Sequence, residues 1–164
     1  MQISATKNLK YGLTLVEVIM ATSIILVFLL ALFGTHNLYL KTAFSNGEVV
    51  KATALAEEGL EAVRFLRDSS WNTNIEPLFI NTDYYLVFDG DGWQITTAHA
   101  FIDNRFERKI MFSSVYRDVS GGIVASGGTL DPDTRMVVSS VSWLQANATT
   151  TKSISTYIAN IFDN

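Results

Sequence analysis

From Leu13 to Phe33 the chain is apolar at nearly every position, interrupted only by Thr14, Glu17, Thr22 and Ser23. About 20 apolar residues, at about 1.5 Å of rise each, cover the hydrocarbon core of a bilayer. Beyond this run the pattern stays helical but becomes two-sided. Ala52, Ala56, Gly59, Val63 and Leu66 recur at spacings of three and four, which places them on one helical face. Charges occupy the other positions, with Glu48/Lys51 and Glu61/Arg64 at i,i+3 and Arg64/Asp68 at i,i+4. Glu57, Glu58 and Glu61 precede Arg64 and Arg67, the order that complements a helix dipole. No proline occurs before Pro77. The pattern predicts one long helix from about residue 13 to about residue 68, apolar in its first half and amphipathic in its second. Gly34, Gly47 and Gly59 fall inside it, each costing about 1 kcal/mol relative to alanine. Gly34 marks the change of character and is either a bending point or a site of close helix packing.

Residues 69–77 are polar, rich in turn formers and end in Pro77, so they read as a loop. The period then changes to two. Residues 84–88, the turn Asp89-Gly90-Asp91-Gly92 and residues 93–96 form a hairpin signal. Residues 105–117 alternate, with Phe106, Ile110, Phe112 and Tyr116 on one face. Residues 136–144 alternate with Val137, Val141 and Trp143 inward, and residues 152–158 carry Ile154 and Ile158. Ser120-Gly121-Gly122 and Ser126-Gly127-Gly128 read as mobile turns between strands. The expected class is α+β: a long N-terminal helix, with a transmembrane half and an amphipathic half, packed on a C-terminal antiparallel sheet. The expected segments are a leader at 1–12, a membrane helix at 13–34, an amphipathic helix at 35–68 and a sheet domain at 69–164.

Composition narrows the function classes. The 164 residues are 48% apolar, and much of that excess lies in the N-terminal run, leaving enough chain for one modest domain. A net charge of −4 argues against a general nucleic-acid or acidic-membrane binder. The absence of cysteine excludes disulfides, thiolate chemistry and cysteine-based zinc sites.

Three readings compete for the N-terminus. A cleaved secretory signal needs a shorter apolar stretch and a small-x-small site after it, whereas this run ends in Leu32 and Phe33. A plain membrane anchor accounts for the length and for Lys7 and Lys10, which orient the N-terminus toward the cytoplasm. It leaves Gly12 and Glu17 unexplained. A carboxylate in a membrane span is costly and marks a functional site whose natural partner is a positive group. The bland alternative is a headgroup-solvated residue at the membrane edge.

The string Gly12-Leu13-Thr14-Leu15-Val16-Glu17-Val18-Ile19-Met20-Ala21 closely resembles the N-terminal motif of type IV prepilins and type II secretion pseudopilins. The resemblance covers about 25 residues. It implies cleavage after Gly12 by a prepilin peptidase on the cytoplasmic side, and methylation of the new amine on Leu13. Leu13 departs from the phenylalanine most members carry there. It further implies that Glu17 meets the N-terminal amine of a neighbouring subunit and sets the register of a filament. The expected role is therefore a structural subunit, a minor pilin or pseudopilin, with no catalytic residues and no cofactor. Its expected partners are the peptidase, other filament subunits, the inner membrane and, indirectly, an assembly platform and ATPase. The loosely matching Val141-Ser142-Trp143 strand and the lack of paired cysteines favour a minor subunit.

Other candidate chemistry is thinner. Asp89 to Gly92 and Asp131-Pro132-Asp133 look like fragments of calcium loops, but neither has the six or more oxygens required, and both fit turns better. Calcium-binding pseudopilins keep the second weakly open. His36 and His99 are far apart, no catalytic serine or phosphate-loop motif occurs, and Asn147-Ala148-Thr149 matches a glycosylation triplet that arises often by chance. Trp71, Trp93 and Trp143 read as core or sheet-face residues. A binding module, either an adhesin or a DNA-uptake tip, needs an exposed basic or aromatic patch. Arg105, Arg108, Lys109 and Arg117 lie close in sequence, but the apolar residues and Glu107 between them point to a mixed sheet face.

Overall fold

The computed structural model describes residues 12, 14–145 and 147–162. Its first element is α1 (Leu15–Ser69), a continuous helix of 55 residues, as the uninterrupted pattern predicts. Gly34 and Gly47 interrupt nothing, and a Cβ on either would meet no atom within 4 Å. A short helix follows, α2 (Trp71–Asn74), and then seven strands: β1 (Asp83–Phe88), β2 (Trp93–Thr96), β3 (Phe101–Ile102), β4 (Phe106–Arg117), β5 (Ile123–Val124), β6 (Thr129–Gln145) and β7 (Ala148–Ala159). They form an antiparallel sheet in the order β2-β1-β4-β6-β7, with β3 and β5 adding to β4. The architecture is α+β. The chain divides into two compact units, residues 1–44 and 45–164.

In the second unit, α1 lies on one face of the sheet. The predicted stripe is the buried one: Ala52, Ala56, Gly59, Val63 and Leu66 are all buried, joined by Leu60 and Ala62. β4 and β6 alternate as expected, so Phe106, Ile110 and Phe112 face the helix together with Val137, Val141 and Trp143. The core falls into two clusters. One gathers Ala52, Ala56, Phe106, Val141 and Trp143. The other gathers Leu60, Val63, Leu66, Trp71, Ile75, Tyr84, Leu86, Ile110, Phe112, Val137 and Ile158. Between them, at the inward positions of β4 and β6, sit Arg108 and Ser139, both buried.

Several sequence expectations need correction. Residues 69–77 are not all loop, because Ser70 caps a single helical turn by accepting a hydrogen bond from the Thr73 amide, which lets Trp71 and Ile75 enter the core. Asp131-Pro132-Asp133 is not a turn between strands but lies within β6. Ser114 pairs with Arg135 while Val115 pairs with Asp131, so residues 132–134 are skipped in the ladder with β4, although Thr134 still pairs with Ala159 of β7. A bulge is where a strand tolerates proline, whose missing N–H removes a ladder bond. It also reverses the alternation of β4: Val115 is buried, whereas Tyr116, expected inward, is 41% exposed. β7 begins at Ala148 rather than at residue 152, because the Thr149-Thr150-Thr151 run has no apolar alternation to reveal it. Among the helix pairs, Arg64–Glu61 forms, but Glu48 and Lys51 turn to the sheet instead, toward Arg105 and Asp103, and Arg67 rather than Arg64 pairs with Asp68.

Candidate functional site

The first candidate site is the start of α1. The Glu17 amide donates to the Thr14 hydroxyl at 3.3 Å and to the Thr14 carbonyl at 3.1 Å, so Thr14 caps the helix and Glu17 occupies its first turn. A carboxylate there is favoured by the helix dipole whatever else it does. Gly12 is exposed, and Leu13 lies outside the described residues. From Leu15 to Tyr39 every large apolar side chain of α1 that is described is exposed, including Ile24, Phe28 and Phe33. This part of α1 is long and apolar enough to cross a membrane.

The polar side chains in that stretch are instructive. The Thr22 hydroxyl donates to the Val18 carbonyl at 2.9 Å, Ser23 to Ile19 at 2.7 Å and Thr35 to Leu32 at 2.9 Å, while the Asn37 amide donates to Phe33 at 3.0 Å. Each folds its hydrogen bond back onto the helix, the arrangement that makes hydroxyls tolerable in hydrocarbon. Glu17 is the one formally charged residue between Gly12 and Leu40, and its carboxylate has no partner among the described residues. Thr22, Ser23, Thr35 and Asn37 thus satisfy donor groups on the helix itself, while Glu17 stands as an exposed carboxylate in its first turn.

The sheet domain offers a second set of groups. Arg105 pairs with Glu48, Arg108 with Glu58 at 3.0 Å, Lys109 with Asp83 at 2.9 Å and Arg117 with Asp131 at 2.6 Å. Each of the four cations singled out from the sequence thus has a carboxylate partner. Arg108 is the extreme case: only 4% of it is exposed, its Nη1 also donates to the Leu55 carbonyl at 3.1 Å, and its guanidinium lies 5.2 Å over the Trp93 ring. Burial pushes its pKa below the ordinary guanidinium value against the opposing pull of Glu58. Nothing in the sequence distinguishes this buried arginine from its exposed neighbours except its parity along β4.

The calcium-like fragments hold their own turns. The Asp89 carboxylate accepts from the Asp91 and Gly92 amides at 3.2 Å. Asp131 accepts from Arg117, which together with Thr134 holds its carboxyl below the usual carboxylate range. Among the described residues no group of three or more His, Asp or Glu side chains is placed to hold a metal ion. Trp71 and Trp143 are core residues, and the Trp143 indole donates to Glu48 at 3.1 Å. A cluster that the sequence reading did not anticipate joins Tyr85 on β1, His99 in the β2–β3 connection and Glu107 on β4. The three come from separate elements, and strand parity is the only sequence signal linking Tyr85 with Glu107.

No family model matches the chain, and neither the curated proteins nor the solved structures contain a match to it.

Proposed function

We propose that the chain is a structural subunit of a type IV pilus or a type II secretion-like filament, a minor pilin or pseudopilin, processed at Gly12 and assembled through α1. The observation that carries this reading is Glu17: a lone carboxylate in the first turn of an exposed apolar helix whose other small polar side chains are satisfied internally. The continuation of that helix over an antiparallel sheet supports the same reading. An N-terminal amine on Leu13 of a neighbouring subunit supplies the missing partner, a charge pair in a medium of low dielectric constant. In this reading the N-terminus starts in the cytoplasm, the sheet domain lies beyond the inner membrane, and the role is architectural rather than catalytic. The binding-module alternative draws no support from the four strand cations, because each is engaged with a carboxylate.

Co-expression with a prepilin peptidase, followed by intact mass measurement, tests the proposal. The expected product begins at N-methylated Leu13, and Gly12→Val blocks its formation. A chain that keeps residues 1–12 in the presence of active peptidase defeats the reading.

A further inference from the structure

On the face of the sheet away from α1, outward positions of four strands line up in a row. Phe101 of β3 pairs with Glu107 of β4, Glu107 with Ser142 of β6, and Ser142 with Thr151 of β7. Their neighbours Ile102, Phe106, Val141 and Trp143 pack inward with Ala52 and Ala56. At about 4.8 Å per strand the row spans about 14 Å. It begins with a ring that is 60% exposed, passes through a carboxylate and ends in two hydroxyls 2.9 Å apart. Ser140 and Ser153 repeat the hydroxyl pair two residues along, also at 2.9 Å. Here lies a groove of about 300 Å³ whose walls include Phe101, Asn104, Glu107, Ser142, Leu144 and Thr149.

These groups match the two surfaces of a sugar ring, an edge of hydroxyls and a face of C–H bonds. An aromatic side chain covers the C–H face, a carboxylate accepts strongly from hydroxyls, and serine, threonine and asparagine both donate and accept. Tyr85 Oη donates to Glu107 Oε1 at 3.2 Å, which anchors the carboxylate and leaves Oε2 without a hydrogen bond among the described residues. Asn104 enters the groove from a left-handed conformation, φ 52°, between β3 and β4. The charges do not suit a phosphate backbone, which needs free lysine or arginine. Arg105 in the groove wall and Lys109, the next outward residue of β4, are held by Glu48 and Asp83. Lys152 stands at the inward register position opposite Val141.

We propose that this face of the sheet binds an uncharged oligosaccharide. Phe101 stacks on one sugar ring, Glu107 and Asn104 hydrogen-bond to its hydroxyls, and Ser142 and Thr151 contact the next ring along the row. Bonding between Ser142 and Thr151 leaves both oxygens able to accept further. The row is extended rather than enclosed, so it takes a chain of sugars lying across the strands rather than a single one. Such a site needs only the sheet domain and stands or falls separately from the filament reading.

The test is an NMR titration of the full-length chain, in a detergent without a sugar headgroup, against cellohexaose, chitohexaose and maltohexaose. At least one is expected to bind with a Kd of about 1 mM and to shift the resonances of β3, β4 and β6 around Phe101. Phe101→Ala is expected to weaken that binding about tenfold, through lost apolar contact. Asn104→Gly, which keeps the left-handed turn and removes the carboxamide, and Glu107→Gln are each expected to weaken it about threefold. Unmoved resonances of β1 and α1 report that the variants are folded. Phe79→Ala, which removes an exposed ring elsewhere in the domain, is expected to leave binding unchanged. Failure of all three sugars at about ten times the expected Kd overturns the proposal. So does binding that survives both Phe101→Ala and Asn104→Gly, or that Phe79→Ala weakens equally. Tighter binding of a heparin hexasaccharide or a thymidine hexanucleotide than of any neutral sugar also overturns it, by making the face an anion site.

Discussion

A Cβ atom added at Gly59 would lie 2.6 Å from the Ser139 hydroxyl oxygen, closer than real side chains approach. The same atom would come within 3.0 Å of Arg108 Cδ and 3.2 Å of Ile110 Cδ1. Side chains of the sheet press directly on the helix backbone here, with no helix side chain between, so the glycine that weakens the isolated helix is what lets the two layers close.

Replacing Gly59 with alanine ordinarily favours a helix by about 1 kcal/mol. At this position the overlap reverses the sign, and the variant is expected to lose about 1–3 kcal/mol in urea unfolding. Ser139→Gly removes the nearest obstructing atom, so Gly59→Ala should cost less in that background. A stabilised single variant would show that the layers do not meet at Gly59.

The Ser139 hydroxyl is buried, and no group among the described residues accepts or donates to it. Ser139→Ala is therefore expected to be neutral or to raise stability by about 1 kcal/mol, since a buried unsatisfied hydroxyl is a liability. A loss above that magnitude in thermal unfolding would reveal a partner for the hydroxyl.

Arg108 separates two apolar clusters and leans on Glu58, the Leu55 carbonyl and Trp93. Glu58→Ala strands a buried cation and is expected to cost about 1–3 kcal/mol, whereas Arg108→Met, which keeps the aliphatic stem, should cost less than Arg108→Ala. Chemical denaturation of the three variants checks the order. An Arg108→Met variant no more stable than Arg108→Ala would mean that packing of the aliphatic stem does not hold this position.

Acid should loosen the end of the sheet near the β6 bulge. Arg117 lowers the Asp131 pKa, so this pair contributes stability above the ordinary carboxylate value and loses it as pH falls through the lowered one. Arg117→Ala is expected to remove about 1 kcal/mol at pH 7 and less as the pH approaches 3. Melting curves between pH 3 and 7 measure the convergence, and a constant difference across that range would dissociate the pair from the acid response.

In the filament reading, Glu17→Ala leaves insertion and processing intact and lowers incorporation into fibres. Fractionating sheared filaments from cells co-expressing variant and unaltered chains measures this directly. Equal incorporation would remove the amine–carboxylate contact from the assembly account.

Much of this fold was legible in the sequence because periodicity reports burial. Ala52, Ala56, Gly59, Val63 and Leu66 repeat at helical spacing and cover the sheet, and the Asp89–Gly92 turn joins strands that pair Phe88 with Trp93. Legibility failed where tertiary context overrode the period. The bulge at residues 132–134 turned Tyr116 outward and hid the first part of β6. Arg108 followed the inward parity of β4, yet a charge at an inward position is discounted when polarity is read before parity. Two-residue strands such as β3 and β5 are too short to show any period. The Tyr85–His99–Glu107 cluster was invisible because its members lie 14 and 22 residues apart on elements whose pairing is set only by folding. At the N-terminus the situation is reversed: Gly12 and Glu17 stand out in the sequence, while among the described residues no side chain meets the Glu17 carboxylate.

Among the described strands, β6 and β7 are each long, all of β7 pairs with Thr134–Gln145 of β6, and the two are separated by two residues, with Asn147 in a left-handed conformation at the turn. The consequence is one of timing. The helical stripe from Ala52 to Leu66 leaves the ribosome first, whereas Ile158, which helps cover it, follows only after β1 to β6 have been made. At about 5–20 residues per second, that stripe waits roughly 5–20 s for its lid. A nascent chain ending at Gln145 is accordingly expected to carry its helix without a settled core, and to bind a hydrophobic dye that a chain extending through β7 refuses.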